Sequence, residues 1–242
     1  MDKIHILNLA FDNVNMDEAS LRVAKALESK TKLKIATVNA EIAYLCEKDA
    51  TALATIGAFD MVVCDGVGVL YASKIVGTPL KERVAGIELG ERIISDIAAS
   101  GHKLFLLGAA PGVAEDAAKK LCEKYTSLNI CGTHDGYFKD DAHVIEQINN
   151  SGADVVFVCL GAPKQENWIS ANCDKLCASV FIGLGGSLDI YAGNSKRAPA
   201  FFCRFGLEWL YRLICQPWRI KRMMALPKYI LRVIFRGKNI NR

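Results

Sequence analysis

Asp60-Met61-Val62-Val63-Cys64-Asp65-Gly66-Val67-Gly68 is the stretch that decides the fold. A short run that is apolar at every position, not at alternate ones, reads as a strand buried on both faces. A parallel sheet covered by helices provides that setting. The run ends on a carboxylate followed at once by two glycines. In open α/β sheets ligands collect beyond the carboxyl ends of the strands, which places Asp65 where chemistry is usually done. Two readings of Asp65 fit this spacing. A carboxylate beside an apolar core is partly desolvated, holds its proton more tightly and can serve as a proton acceptor. Equally, it can cap the following helix or brace a turn.

Working outward, residues 4–9 form a first strand candidate, and Asn15 with Glu18 three positions later is a capping-box start for a helix to about Lys30. Lys34–Asn39 is the next strand, followed by helices at about 40–48 and 51–57. Beyond Asp65 a helix over 69–76 stops at Gly77 and Pro79, and the polar loop Glu82-Arg83-Val84-Ala85-Gly86 leads to a helix from about Ile87 to Ser100. Further strands are expected at 103–107, 128–131, 154–160 and 180–184.

Strand–helix alternation of this kind predicts an α/β fold, a mostly parallel sheet with helices on both faces. Asn39, Asp65, Gln165 and Glu166 then converge on one sheet edge with Gly108, Gly185 and Gly186. The turn Gly108-Ala109-Ala110-Pro111-Gly112 before a helix can present backbone N–H groups to a phosphate, though a plain tight turn explains it as well. Tyr137 and Phe138 offer either a stacking surface for a base or packing against the sheet.

Composition narrows the class. At 242 residues and 51% apolar, the chain can build one large α/β core, and no apolar signal segment opens it. The nine cysteines lie mostly inside apolar runs without a framework, which suits reduced cytosolic thiols. The four histidines have no metal or triad spacing, and Cys173 with Cys177 lacks a second pair.

The net charge of +4 is unevenly held: residues 204–242 contain ten Lys or Arg and a single acid, Glu208, leaving the remainder at −5. The boundary at Ser195–Pro199 sets a core of residues 1–203 apart from a C-terminal amphipathic helical appendage of residues 204–242. Its three pieces, 205–215, 218–225 and 228–236, are separated by Pro217 and Pro227, and none has the ~20 apolar residues that span a bilayer. Basic, aromatic-rich amphipathic helices suit an anionic membrane interface. A helical cap docked on the core is the other reading, and so aliphatic a segment is a poor nucleic-acid surface.

Taken together, Thr37-Val38-Asn39, Asp65-Gly66-Val67-Gly68, the Arg83 loop, Gly161-Ala162-Pro163-Lys164-Gln165-Glu166 and Gly183-Leu184-Gly185-Gly186 resemble the WecG/TagA/CpsF family of bacterial glycosyltransferases, as does the tail from Gly206-Leu207-Glu208-Trp209. The resemblance covers nearly the whole chain. It implies inverting transfer of N-acetylmannosamine from a UDP-sugar donor to polyprenyl-diphosphate-linked N-acetylglucosamine, in the building of wall teichoic acid or a similar surface polymer. It implies Asp65 as the base, and Thr37, Asn39, Arg83 and Gln165 as pocket residues. Glu166, Gly108, Tyr137 and Gly185 complete the substrate-binding set expected here. Arg212, Arg219 and Arg222 match basic residues that meet the acceptor's diphosphate at the membrane.

No Asp-x-Asp pair is present to hold a metal on a nucleotide sugar, so no cofactor or metal is expected. The partners expected are the donor, the lipid-linked acceptor and an anionic membrane on its cytoplasmic face; no nucleic acid is expected, and a homo-oligomer is left open. The alternatives are a uronic-acid or glucose donor, or a nucleotide-sugar-binding adaptor without catalysis.

Overall fold

A computed structural model of the chain describes residues 2–199, 201–202, 207–215, 217 and 220–236, with the backbone alone at 212, 221 and 222. The strand at the centre of the sequence argument, β4 (Met61–Cys64), is buried at all four positions. It lies at one edge of a parallel sheet with β3 (Leu33–Val38), β5 (Lys103–Gly108), β6 (Asn129–His134), β7 (Val155–Cys159) and β8 (Val180–Gly183). The strand order is β4-β3-β8-β7-β5-β6.

One face carries α2 (Ala40–Lys48), α3 (Ala50–Gly57), α4 (Val67–Ile75), α7 (Asp141–Ser151) and α8 (Lys164–Asn172) over Ala36, Val38, Val62, Leu107, Val156 and Phe181. The other carries α1 (Met16–Ser29), α5 (Gly86–Ser100), α6 (Val113–Lys124) and α9 (Ser187–Tyr191) over Ile35, Met61, Val63, Leu106, Phe157 and Ile182. Both faces of the sheet are thus covered, which is why the strands read as continuous apolar runs. The Asn15 capping box of α1 is present in both directions.

Three expectations change. Residues 4–9 are not one strand but a hairpin, β1 (Lys3–Ile6) and β2 (Leu9–Asp12), forming a separate two-stranded antiparallel sheet. The chain reverses at Leu7 and Asn8, and Leu7 takes a left-handed φ of 54°. The hairpin supplies Asp12, whose Oδ2 accepts from Val62 N–H at 2.9 Å and whose Oδ1 pairs with Arg22 at 2.8 Å. It thereby satisfies a backbone donor of the edge strand β4. Strand β6 runs on to His134, past the expected end at 131.

Finally, Pro227 does not divide the tail. It falls in the first turn of α12 (Ala225–Arg236), where a missing N–H costs nothing. Helices α10 (Glu208–Cys215) and α11 (Ile220–Met223) precede it. Helix α12 packs on α2 and α4, with Tyr229 and Val233 fully buried in the core and Arg236 bonded to Glu47 at 3.0 Å. The boundary expected at 203/204 lies outside the described residues.

Candidate active site

After β3 the chain turns onto one face through α2; after β8 it turns onto the opposite face through α9. Strands β3 and β8 are neighbours. The crevice opened where adjacent connections diverge is the place an open α/β sheet binds ligands. A cavity of about 280 Å³ lies there, bordered by Thr37, Asn39, Asp65, Arg83, Gln165 and Gly185. Six of the nine core residues expected to act on substrate therefore meet at one place.

Each is held by a local reason. Asp65 follows the last residue of β4; its N–H donates to Val38 O at 3.0 Å and its Oδ1 accepts from Gly86 N–H at 2.6 Å. The carboxylate thus braces the loop after Arg83 while bordering the cavity, so the two readings of Asp65 are compatible. Next to it, burial and then the Asp65 charge push the Cys64 thiol up to about 12, which keeps it protonated and no nucleophile. Thr37 Oγ1 donates to Gly183 O at 2.7 Å and pins the ends of β3 and β8 together.

Asn39 caps α2: its Oδ1 accepts from Glu41 N–H and Ile42 N–H at 2.9 and 3.1 Å. The Nδ2 group is what remains for a ligand hydroxyl. Gln165 is almost fully buried, its Oε1 accepting from Gly185 N–H at 2.9 Å and its Nε2 donating to Glu166 Oε1 at 2.8 Å.

Arg83 is the most heavily partnered. Its Nη1 donates to Glu208 Oε1 at 2.9 Å and its Nη2 lies 3.6 Å from Glu88 Oε1. Burial works against its charge, but the hydrogen bond and charge of Glu208, then Glu88 and Asp65, outweigh it and hold the guanidinium more firmly protonated than usual. Glu88 is itself bonded to Arg197.

The structure does not bring Gly108, Tyr137 or Glu166 into this lining. A Cβ on Gly108 would lie 2.4 Å from Cys159 O, and the residue has a φ of +130°, so it serves a close backbone turn. Tyr137 is 75% exposed, while Phe138 stacks edge-on to Trp168 beneath Lys164. Glu166 points into the core. Arg219, with Trp218, lies outside the described residues, as do the side chains of Arg212 and Arg222.

Conversely, Glu208, Trp209, Met223 and Leu226 of the tail border the cavity; Glu208 and Trp209 stand in the tail block that carries the resemblance, but none of the four was expected in the site. Glu208 is also the sole acid in a basic segment, whereas Met223 and Leu226 carry no such signal. Gly68 explains part of the fit: a Cβ there would sit 2.4 Å from Leu226 Cδ1 and 3.0 Å from Ala40 Cβ. The second glycine after Asp65 lets the tail approach the sheet edge. Among the described residues no three His, Cys, Asp or Glu side chains converge as a metal site would need, and no helix is long and apolar enough to cross a membrane.

A switch-point crevice with one carboxylate at a strand end and one half-buried guanidinium suits group transfer from an anionic donor. The chain belongs to the glycosyl transferase WecG/TagA/CpsF family, whose model matches residues 4–242. An N-acetylglucosaminyldiphosphoundecaprenol N-acetyl-β-D-mannosaminyltransferase of Bacillus subtilis (strain 168) is 38% identical over 213 residues, 88% of this chain and 83% of the relative. The proteins of the same name from Bacillus spizizenii and Staphylococcus aureus (strain NCTC 8325 / PS 47) are 38% and 33% identical, covering 83% and 96% of this chain and 78% and 92% of theirs.

Proposed function

We propose that this chain is an inverting glycosyltransferase that moves N-acetylmannosamine from a UDP donor to polyprenyl-diphosphate-linked N-acetylglucosamine, working at an anionic membrane surface. The observation that carries this reading is that Asp65 and Arg83 border one cavity at the sheet's switch point. The shared name of the relatives supplies the sugar and the acceptor.

In the step proposed, the acceptor hydroxyl oxygen bonds to the anomeric carbon as the bond from that carbon to the β-phosphate oxygen breaks. The hydroxyl proton passes to Asp65, and the electron pair leaves with UDP. Gly86 N–H fixes the orientation of the carboxylate, so no reorganisation is needed at the moment of attack. Arg83 balances the charge that develops on the leaving diphosphate. Displacement in line with one base inverts the anomeric centre, consistent with a β product from an α-linked donor.

A neutral donor sugar is favoured over its uronic acid. Among the described residues, the cavity is bordered by Glu41, Asp65 and Glu208 and by a single cation, Arg83. A sugar carboxylate would add a further negative charge to these three and to the donor's own diphosphate, whereas the neutral sugar adds none. UDP release measured across UDP-linked N-acetylmannosamine, its uronic acid and glucose, with a short-chain lipid acceptor, tests this. Release is expected with the first; equal or faster release with the uronic acid would contradict the charge argument.

Membrane contact is proposed through the tail. Its exposed apolar side chains include Leu231, Ile234 and Phe235 on α12, opposite the buried Tyr229 and Val233. With the surrounding basic residues they suit a helix lying in the interface.

A further inference from the structure

Glu166 is the most buried carboxylate next to the cavity and the one whose burial the reaction does not explain. It stands in the first turn of α8, where carboxylates are usually solvated, yet it is only 1% exposed. Consecutive helical residues point about 100° apart. Gln165 therefore borders the cavity, and Glu166 turns beneath it toward Cys46 of α2, whose thiol is pushed up to about 12 by burial and then by Glu166.

The polar atoms form a directed chain. Gly185 N–H can only donate, so it requires the oxygen of the Gln165 amide, and the two atoms are 2.9 Å apart. Glu166 Oε1 accepts from the Gln165 NH2 at 2.8 Å. A flipped amide would set donor against donor at Gly185 and would lose the bond that Glu166 Oε1 accepts from the amide. Among the described residues Glu166 Oε2 is buried without a partner, so the neutral acid is the form that costs least there, and burial raises its pKa accordingly. Space for the amide comes from Gly183, where a Cβ would lie 2.6 Å from Gln165 Nε2.

We propose that Glu166 is a positioning residue: it locks the Gln165 amide with its oxygen toward Gly185 and so holds the Gly185–Ser187 turn that walls the cavity, without itself touching substrate. The kinetic consequence rests on the glycosyltransferase reading; the structural lock does not.

The test compares Glu166→Gln, which keeps an acceptor oxygen, with Glu166→Met and Glu166→Leu, which fill the space without one. Amide hydrogen exchange of Gly185 is read by NMR, with the amides of β8 as the control for folding. Glu166→Gln should retain Gly185 protection, while the apolar variants should speed its exchange about tenfold or more, the scale set by losing one buried hydrogen bond. Unchanged Gly185 exchange in folded apolar variants overturns the proposal. So does equal loss in Glu166→Gln.

In turnover, Glu166→Met should raise the donor KM more than it lowers kcat, and the effect should vanish in a Gln165→Leu background. An undiminished effect in that background would also overturn it. Absence of turnover with every donor in the wild type would contradict the functional reading and leave the exchange result to decide this one.

Discussion

Asp65 accepts a backbone N–H with one oxygen and borders the cavity, so replacing it by asparagine keeps the brace and removes the base. Asp65→Asn should bind UDP as the wild type does and lose about two to four orders of magnitude in turnover. Calorimetry for binding and UDP release for turnover check the two halves separately, and near-normal turnover would remove Asp65 from the base role.

Glu166 gives a second prediction. Its folded-state pKa is raised above the ordinary value of 4.5 by burial, so the stability it contributes is present below 4.5 and is lost as pH rises through the folded pKa. Glu166→Gln does not titrate. Its stability relative to the wild type, from urea melts, should increase between pH 4.5 and pH 8; a difference independent of pH would show that Glu166 ionises normally. Asp65, Thr37, Asn39, Arg83, Gln165 and Gly185 were legible as a group because each follows a strand's carboxyl end or matches a family block. The inward turn of Glu166 was not, since neighbouring residues in a helical first turn look alike until the packing is known.

Strands such as β4 were legible because burial on both faces leaves an unbroken apolar run. The β1–β2 hairpin was hidden for a different reason: apolar residues, Ile6, Leu7 and Leu9, continue through its turn, and Leu7 in a left-handed conformation carries no glycine to mark it. Pro227 misled in the opposite sense, as a breaker that sits where helices tolerate it. Helix α12 docks through Tyr229, whose buried hydroxyl has no partner among the described residues, and so satisfies the reading of a cap on the core while its outer face remains apolar. An unpartnered buried hydroxyl is unfavourable, so Tyr229→Phe should be neutral or stabilising by about 1 kcal/mol. A loss of stability in denaturant melts would mean that the hydroxyl has a partner in solution.

For the whole molecule, charge and apolar surface are both concentrated in the tail, at +9 against −5 for the rest. Deleting the tail would also strip Tyr229 and Val233 from the core, so point changes on the outer face are the cleaner test of membrane contact. The full chain should sediment with anionic liposomes and be released as salt rises, since basic residues near the surface contribute about 1 kcal/mol each. Glu substitutions at Ile234 and Phe235, 42% and 74% exposed, should weaken that binding about tenfold or more through lost apolar burial and added negative charge. Binding indifferent to both salt and these changes would place the membrane face elsewhere. The most direct measurement of the whole account is the product itself, made by the full chain from UDP-N-acetylmannosamine and a short-chain polyprenyl-diphosphate-N-acetylglucosamine and read by NMR. One UDP released for each β-linked disaccharide is the predicted result; UDP release without disaccharide, or an α linkage, would contradict it.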